Sequence, residues 1–272
     1  MSATSDGKPS GDGEVTVRRH GERGDVVELV LDRPGSLNAL STAFAAKIAA
    51  ATAELSADTG VRAVVVSSSA DKAFCVGADL KERNTFTDAD LEAQRPVFRA
   101  AFGGLLGLPM PAIAAVHGFA LGGGFELALS CDLIVADETA VVGLPEVTVG
   151  VIPGGGGTQL LTRRIGASRA ADLVFTGRRL DVDEAARLGL VDRRVPAGDD
   201  RAAALALAET IAANSPVGVR NAKQALRRGL DVDLAAGLDI EDASWRATAF
   251  SADRAEGVSA WAEKRKPDWP GL

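Results

Sequence analysis

Apolar and polar positions alternate in two short stretches near the start of the chain, Glu14 to Arg18 and Val26 to Leu31. The polar HGERGD between them supplies a turn, so the pattern predicts a β-hairpin. Pro34 and Gly35 in RPGSLNAL end the second strand, and from Ser41 to Leu55 an alanine-rich stretch with helical spacing predicts a helix. Val61 to Ser69 is β-branched and apolar, a buried strand. In GADLKER, Asp79 followed three residues later by Glu82 predicts a helix N-cap, with Ala78 just outside the helix start. A helix over Asp88 to Leu106 and a strand from Met110 to Val116 lead to a run of glycines and a further helix. After Asp132, LIVADETAVVGLPEVTVGVIP reads as short strands and turns, and GGGG opens a helix through Gln159 and Leu161. From about Ala167 the pattern is helical, broken by GLVDRRVPAGDD, with the last helices at Asp200 to Asn214, Pro216 to Gly229 and Ser251 to Glu263. This order predicts an α/β protein without the regular alternation of a doubly wound sheet.

Composition narrows the function. The 272 residues carry a net charge of −7, which argues against a general electrostatic grip on nucleic acid or anionic lipid. The first residues, MSATSDGKPSGDGE, are polar and lack the apolar segment of a signal peptide, so 1–13 is expected to be a disordered tail. The most apolar stretch, Ile113 to Leu129, contains His117, Glu126 and glycines, a poor membrane span. Two cysteines, Cys75 and Cys131, sit in apolar segments and suit a reducing, cytoplasmic compartment. With two histidines and no C-x-x-C, no metal site is expected.

The chemistry concentrates in ALGGGFELALSCD, Ala120 to Asp132. Close helix packing accounts for the glycines and leaves Glu126, flanked by Phe125 and Leu127, facing a large desolvation cost unless it is paired, neutralised or used. Neither glycine cluster has the spacing of a dinucleotide or phosphate loop, and no G-x-S-x-G is present. A helix beginning within Gly122 to Gly124 would instead point free N–H groups at a ligand, with the positive end of the helix dipole behind them. A second N–H from Ala78 would complete a two-donor oxyanion hole.

RPGSLNAL, KAFCVGADLKE, AVHGFALGGGFELALSCD, GLPEVTVGVIPGGGGTQ and SADRAEGVSAWAEKRKP, in that order, resemble the enoyl-CoA hydratase/isomerase (crotonase) superfamily over nearly everything after the tail. The resemblance implies a crotonase-like spiral of ββα units over 14–199 and a C-terminal helical trimerisation region over 200–272, with two trimers stacked as a homo-hexamer. It implies an acyl-CoA thioester as substrate, so that coenzyme A arrives with the substrate and no separate cofactor is needed. Ala78 and Gly123 would form the oxyanion hole, and Ala78, Asp79, Leu80, Gly122 and Gly123 would bind substrate. Glu126 and Glu146 would be the catalytic pair of an enoyl-CoA hydratase, Glu126 activating water and Glu146 serving the C2 proton.

Other readings stay open. A one-base enoyl-CoA isomerase would need a single glutamate, and GADLKER with DVDLAAGLDIE also resembles the methylglutaconyl-CoA hydratase branch, which makes a branched or acidic acyl group an alternative. Some members of that branch are described as RNA-binding, but Lys81 and Arg83 near a helix start are the only supporting feature here. His117 reads as a local hydrogen-bonding residue and Cys75 as a packed one. Lys264, Arg265 and Lys266 are candidates for meeting CoA phosphates across a subunit boundary, or else form a solvated helix end.

Overall fold

The computed structural model describes residues 11–272. The expected tail over 1–13 therefore lies mostly outside the described residues. The N-terminal hairpin forms as expected, β1 (Glu14–His20) pairing antiparallel with β2 (Val26–Asp32) along its whole length. Helix α1 (Thr42–Ala57) begins at Ser41, whose hydroxyl accepts from the Phe44 N–H at 3.2 Å.

Three successive strand pairs then build the core. In each, the first strand joins one sheet and the second, after a turn, joins another. The leading strands are β3 (Ala63–Ser68), β5 (Ala112–Val116) and β7 (Leu133–Asp137). The trailing ones are the three-residue β4 (Ala73–Cys75), β6 (Phe119–Leu121) and β8 (Val141–Gly143). Helices close the turns: α2 (Leu80–Arg83) and α3 (Asp88–Leu106), then α4 (Gly123–Ser130), then α5 (Gly157–Ile165). This is the ββα spiral.

The larger sheet runs β1-β2-β3-β5-β7-β10, parallel except for the first pair, with β10 (Arg193–Val195) at its far edge. The smaller runs β4-β6-β8-β9, closed antiparallel by β9 (Arg179–Asp181). Helix α7 (Val182–Leu188) packs on it, and α6 (Ala167–Thr176) packs on α5. Strands β3 and β5 are wholly or almost wholly buried, as parallel strands covered on both faces must be. One apolar cluster, including Phe44, Phe74, Phe102, Met110 and Phe125, fills the space between the sheets and α1, α3 and α4.

Helices α8 (Asp200–Ala212), α9 (Pro216–Gly229) and α11 (Ala252–Ala262) lie where the pattern places them. A fourth, α10 (Leu234–Ala249), falls in the stretch read as helical but has no bounds of its own in that reading. Gly237 and two aspartates dilute its pattern, and Ser244 is its single buried residue, so little periodicity marks it. No single helix among the described residues is long and apolar enough to cross a membrane.

His117, at the corner between β5 and β6, ties this spiral to α8. Its Nδ1 faces Asp200 Oδ2 at 3.0 Å and its Nε2 faces the Ala70 carbonyl at 2.8 Å, so its partners are distant in sequence, contrary to the local reading. Both partners are acceptors, and only the imidazolium donates from both ring nitrogens. The Asp200 hydrogen bond is the main cause that lifts its pKa to about 9, against burial, which lowers it. A pKa raised on folding gives stability that is complete below the unfolded value near 6.5 and is lost as pH rises through about 9. Asp200→Asn should therefore lower stability by about 1–3 kcal/mol at pH 6 and by clearly less at pH 10, read from urea unfolding midpoints at the two pH values.

Candidate active site

The site is built around the first turn of α4. Gly122, the residue before it, has φ 53°, which glycine adopts without strain, and its N–H donates to the Gly143 carbonyl at 2.9 Å. Gly124 packs directly on β4: a Cβ there would fall inside the van der Waals envelope of the Cys75 carbonyl. Gly77, with φ 91°, makes the reciprocal approach, since a Cβ on it would lie 3.1 Å from the Gly123 nitrogen. The chain thus brings the Gly77–Ala78 peptide against the start of α4. Among the described residues neither the Ala78 nor the Gly123 N–H donates to a protein acceptor.

Asp79 caps α2 as its spacing predicts, accepting from the Lys81 and Glu82 N–H groups at 3.0 and 3.2 Å. Its other carboxylate oxygen pairs with Arg33 at 2.6 Å. Burial alone would raise its pKa, but the Arg33 and backbone hydrogen bonds prevail and lower it. This fixes the backbone at Ala78.

A cavity of about 640 Å³ opens beside these N–H groups. Of the seven residues singled out in the sequence, Ala78, Leu80, Gly122, Gly123, Glu126 and Glu146 line it. The Asp79 side chain is turned away to Arg33 and the helix cap.

The two glutamates are held in different ways. Glu126 is 3% exposed, and its Oε1 accepts from the backbone N–H groups of Gly155 and Gly157, both at 2.7 Å. A Cβ on Gly157 would lie 2.9 Å from that oxygen, so the second glycine cluster is a cradle for a carboxylate that begins 29 residues earlier in the fold. Burial raises the pKa of Glu126, and the N–H groups of Gly157, Gly155 and Gly154, with the charge of Arg95, oppose that rise. Glu146 follows Pro145 at the start of a 3-10 turn, Glu146–Val149. Both of its carboxyl oxygens are buried without a hydrogen-bond partner among the described residues. Burial, with a smaller push from Glu126, lifts its pKa to about 7. Its Oε1 lies against Gly122, where a Cβ would stand 3.1 Å away. One carboxyl is therefore solvated by backbone and the other is poised near neutrality, beside two free N–H donors.

Two of the weaker candidates have contacts of their own. Cys75 is fully buried and burial pushes its thiol up to about 12, which fits a packed residue. Arg265 is committed to Glu256 and Glu263 on its own surface. The sequence reading missed the role of Gly155 and Gly157 and the presence of Arg83 in the cavity wall. Two successive glycine runs in one chain were the available signal for the first, because adjacent free N–H groups need an anion.

Comparison with known proteins supplies independent findings. The family model described as Enoyl-CoA hydratase/isomerase matches residues 21–271. The human protein named Enoyl-CoA hydratase domain-containing protein 2, mitochondrial, is 42% identical over 272 aligned residues, covering 98% of this chain and 93% of its own length. Among solved structures, an enoyl-CoA hydratase from Bacillus anthracis superposes with a TM-score of 0.92 at 39% identity, covering 95% of this chain and all of that one. An enoyl-CoA hydratase from Mycobacterium smegmatis superposes with a TM-score of 0.87 at 34% identity, over 94% and 98% of the two chains.

The tight contact at Gly124 generates a direct test. Gly124→Ala should lower stability by about 3 kcal/mol or more, the upper range for overpacking, because the opposing atom is backbone and cannot swing aside. Gly123→Ala, whose Cβ would meet side-chain atoms of Leu40 and Phe102 at 3.2 and 3.4 Å and the Gly77 Cα at an ordinary 3.7 Å, should cost clearly less. Urea denaturation of the two variants measures the difference.

Proposed function

Because the chain belongs to the enoyl-CoA hydratase/isomerase family, we propose that it adds water across the C2=C3 bond of an enoyl-CoA thioester. The observation that carries this reading is the pair of buried carboxyls in unlike environments beside two unpartnered backbone N–H groups. Hydration needs one group that takes a proton from water and one that delivers a proton to C2, and a single ionisation state cannot serve both.

The thioester oxygen would accept from the N–H groups of Ala78 and Gly123. As water attacks C3, negative charge grows on that oxygen, and each preorganised donor in such a hole is worth roughly 3 kcal/mol. The dipole of α4 adds to the field at Gly123. Glu126, with Oε1 fixed by Gly155 and Gly157, keeps its other oxygen to orient water and take its proton. Glu146, with a pKa near 7 and no internal partner, is the group that holds a proton at neutral pH and can release it to C2. Ala78, Leu80, Gly122 and Gly123 would line the path of the thioester, and Asp79 would act through the backbone it caps.

Assembly belongs to the same proposal. Leu226, Leu230, Leu234 and Leu238 on α9, α10 and their connection are 54–79% exposed, and Trp245 and Phe250 are 63% and 82% exposed. A contiguous set of large apolar side chains in one region favours burial against another subunit. A homo-oligomer, a trimer or a hexamer of two trimers, accounts for it. Light scattering at micromolar concentration should give at least a trimeric mass, and a monomer would remove this part of the proposal.

Glu126→Gln and Glu146→Gln should each reduce hydration of crotonyl-CoA by about two to four orders of magnitude while acyl-CoA binding persists. The wild-type kcat/KM for hydration should fall as pH rises through about 7, because the proton donor is then lost, and Glu146→Gln should abolish that limb. Loss of the conjugated thioester absorbance reads both. Normal hydration in both variants would end the reading.

A further inference from the structure

One peptide group decides where the Ala78 N–H points. A trans peptide sets its C=O and N–H in opposite directions, so whatever holds the Gly77 oxygen also aims the Ala78 N–H. That oxygen accepts from the Leu40 N–H at 2.7 Å, and the Leu40 carbonyl accepts from the Asp79 N–H at 2.9 Å, which makes a parallel bridge between Leu40 and Ala78. The Leu37 carbonyl extends the contact by accepting from the Val76 N–H at 3.2 Å. Residues 37–40 therefore run beside 76–79 as a short extra strand, although they do not line the cavity.

This strand is not one that the backbone adopts unaided. Leu37 and Asn38 have φ of 51° and 55°, two of the three positive values outside glycine among the described residues. Such a conformation is costly for a residue with a side chain and persists only where its surroundings enforce it. Two side chains do so. Asn38 is fully buried; its Oδ1 accepts from the Arg33 N–H at 2.7 Å, and its Nδ2 donates to Ser68 Oγ at 2.7 Å and to the Phe74 carbonyl at 2.9 Å. It ties the loop to β3 and β4. Arg33 is 8% exposed, and its Nη1 donates to the Ala39 carbonyl at 2.8 Å and to Asp79 Oδ2 at 2.6 Å. One guanidinium nitrogen thus grips the residue before Leu40 and the residue after Ala78, on either side of the bridge. The cap of α2 does not call for this contact, since it is the other oxygen, Asp79 Oδ1, that accepts from Lys81 and Glu82.

We infer that Arg33 and Asn38 are positioning residues for the reaction: they hold 37–40 against 76–79 and thereby aim the Ala78 N–H at the thioester oxygen. The inference rests on the oxyanion reading of Ala78 and Gly123 and extends it to two residues outside the cavity. Turning this one peptide weakens a donor where charge grows, so the loss falls on the transition state more than on the bound ground state.

Butyryl-CoA, which is saturated and has no double bond to hydrate, probes the hole by itself. Hydrogen bonds to its thioester oxygen lower the C=O stretching frequency, read as the infrared difference between ¹²C- and ¹³C-labelled carbonyl. Wild-type protein should lower the frequency on binding, and Arg33→Met and Asn38→Gly should each lose about half of that shift or more, as when one of two donors is turned away. Asn38→Gly leaves the positive φ unstrained, so its loss isolates the side-chain ties. Arg33→Lys, which keeps the charge, should lie between wild type and Arg33→Met. In the same variants kcat for crotonyl-CoA should fall by about tenfold to a hundredfold, with the Kd of butyryl-CoA changed far less. Asp79→Asn keeps a capping oxygen and loses the ion pair, so it should reproduce Arg33→Met and add little to it in the double variant. A full wild-type shift and kcat in the variants overturns the inference. So does a lowered urea midpoint with the infrared shift unchanged, which would leave both residues structural. If the wild-type protein itself fails to lower the frequency, the oxyanion reading falls and takes the inference with it.

Discussion

The arrangement depends on one close approach of backbone to backbone, the first turn of α4 against the segment from Cys75 to Ala78. It exists because residues 77 and 122 to 124 carry no side chains, and at Gly124 no other residue would fit. The approach sets two N–H groups side by side, and it fixes where every later element must lie. β6 delivers the glycines, β4 supplies the opposing chain, and the buried core around Phe74 and Phe125 holds the two in register. A helix start buried this way leaves free N–H groups in need of a partner, so the packing contact is also where the proposed reading places the substrate oxygen.

From that contact the electrostatics follow. Glu126 lies in the first turn of α4 and is carried into an apolar interior, where burial raises its pKa and the N–H groups of the second glycine run oppose that rise. Glu146 arrives from the opposite direction, on a 3-10 turn after β8, and receives no such support. The difference between the two carboxyls is therefore made by backbone rather than by neighbouring charges. In the proposed reading the first glycine run offers donors to a substrate oxygen, while the second donates to the Glu126 carboxylate.

Much of this was legible in the sequence because its signals are local. The cap at Asp79, the glycines that start α4 and the misplaced carboxylate of Glu126 all lie within a few residues of the features that explain them. The three-residue strands β4, β6 and β8 are too short to show alternation, so the second sheet could be anticipated only through the family resemblance. The Glu126 cradle joins residues about thirty apart, and the His117–Asp200 pair joins residues 83 apart, distances over which no periodicity speaks. The bounds of helix α10 escaped because its buried face is almost absent. The place of Arg83 in the cavity wall was hidden for a different reason, since an Arg at the end of a short helix reads as solvated until the opposite wall of the cavity is known.

The central claim is that the Glu146 carboxyl titrates near neutrality, and carboxyl-carbon NMR of protein labelled with ¹³C at glutamate Cδ tests it most directly. The account predicts a resonance titrating near pH 7 that disappears in Glu146→Gln and persists in Glu126→Gln. A spectrum in which the Glu146 resonance titrates at its ordinary value near 4.5 would contradict it.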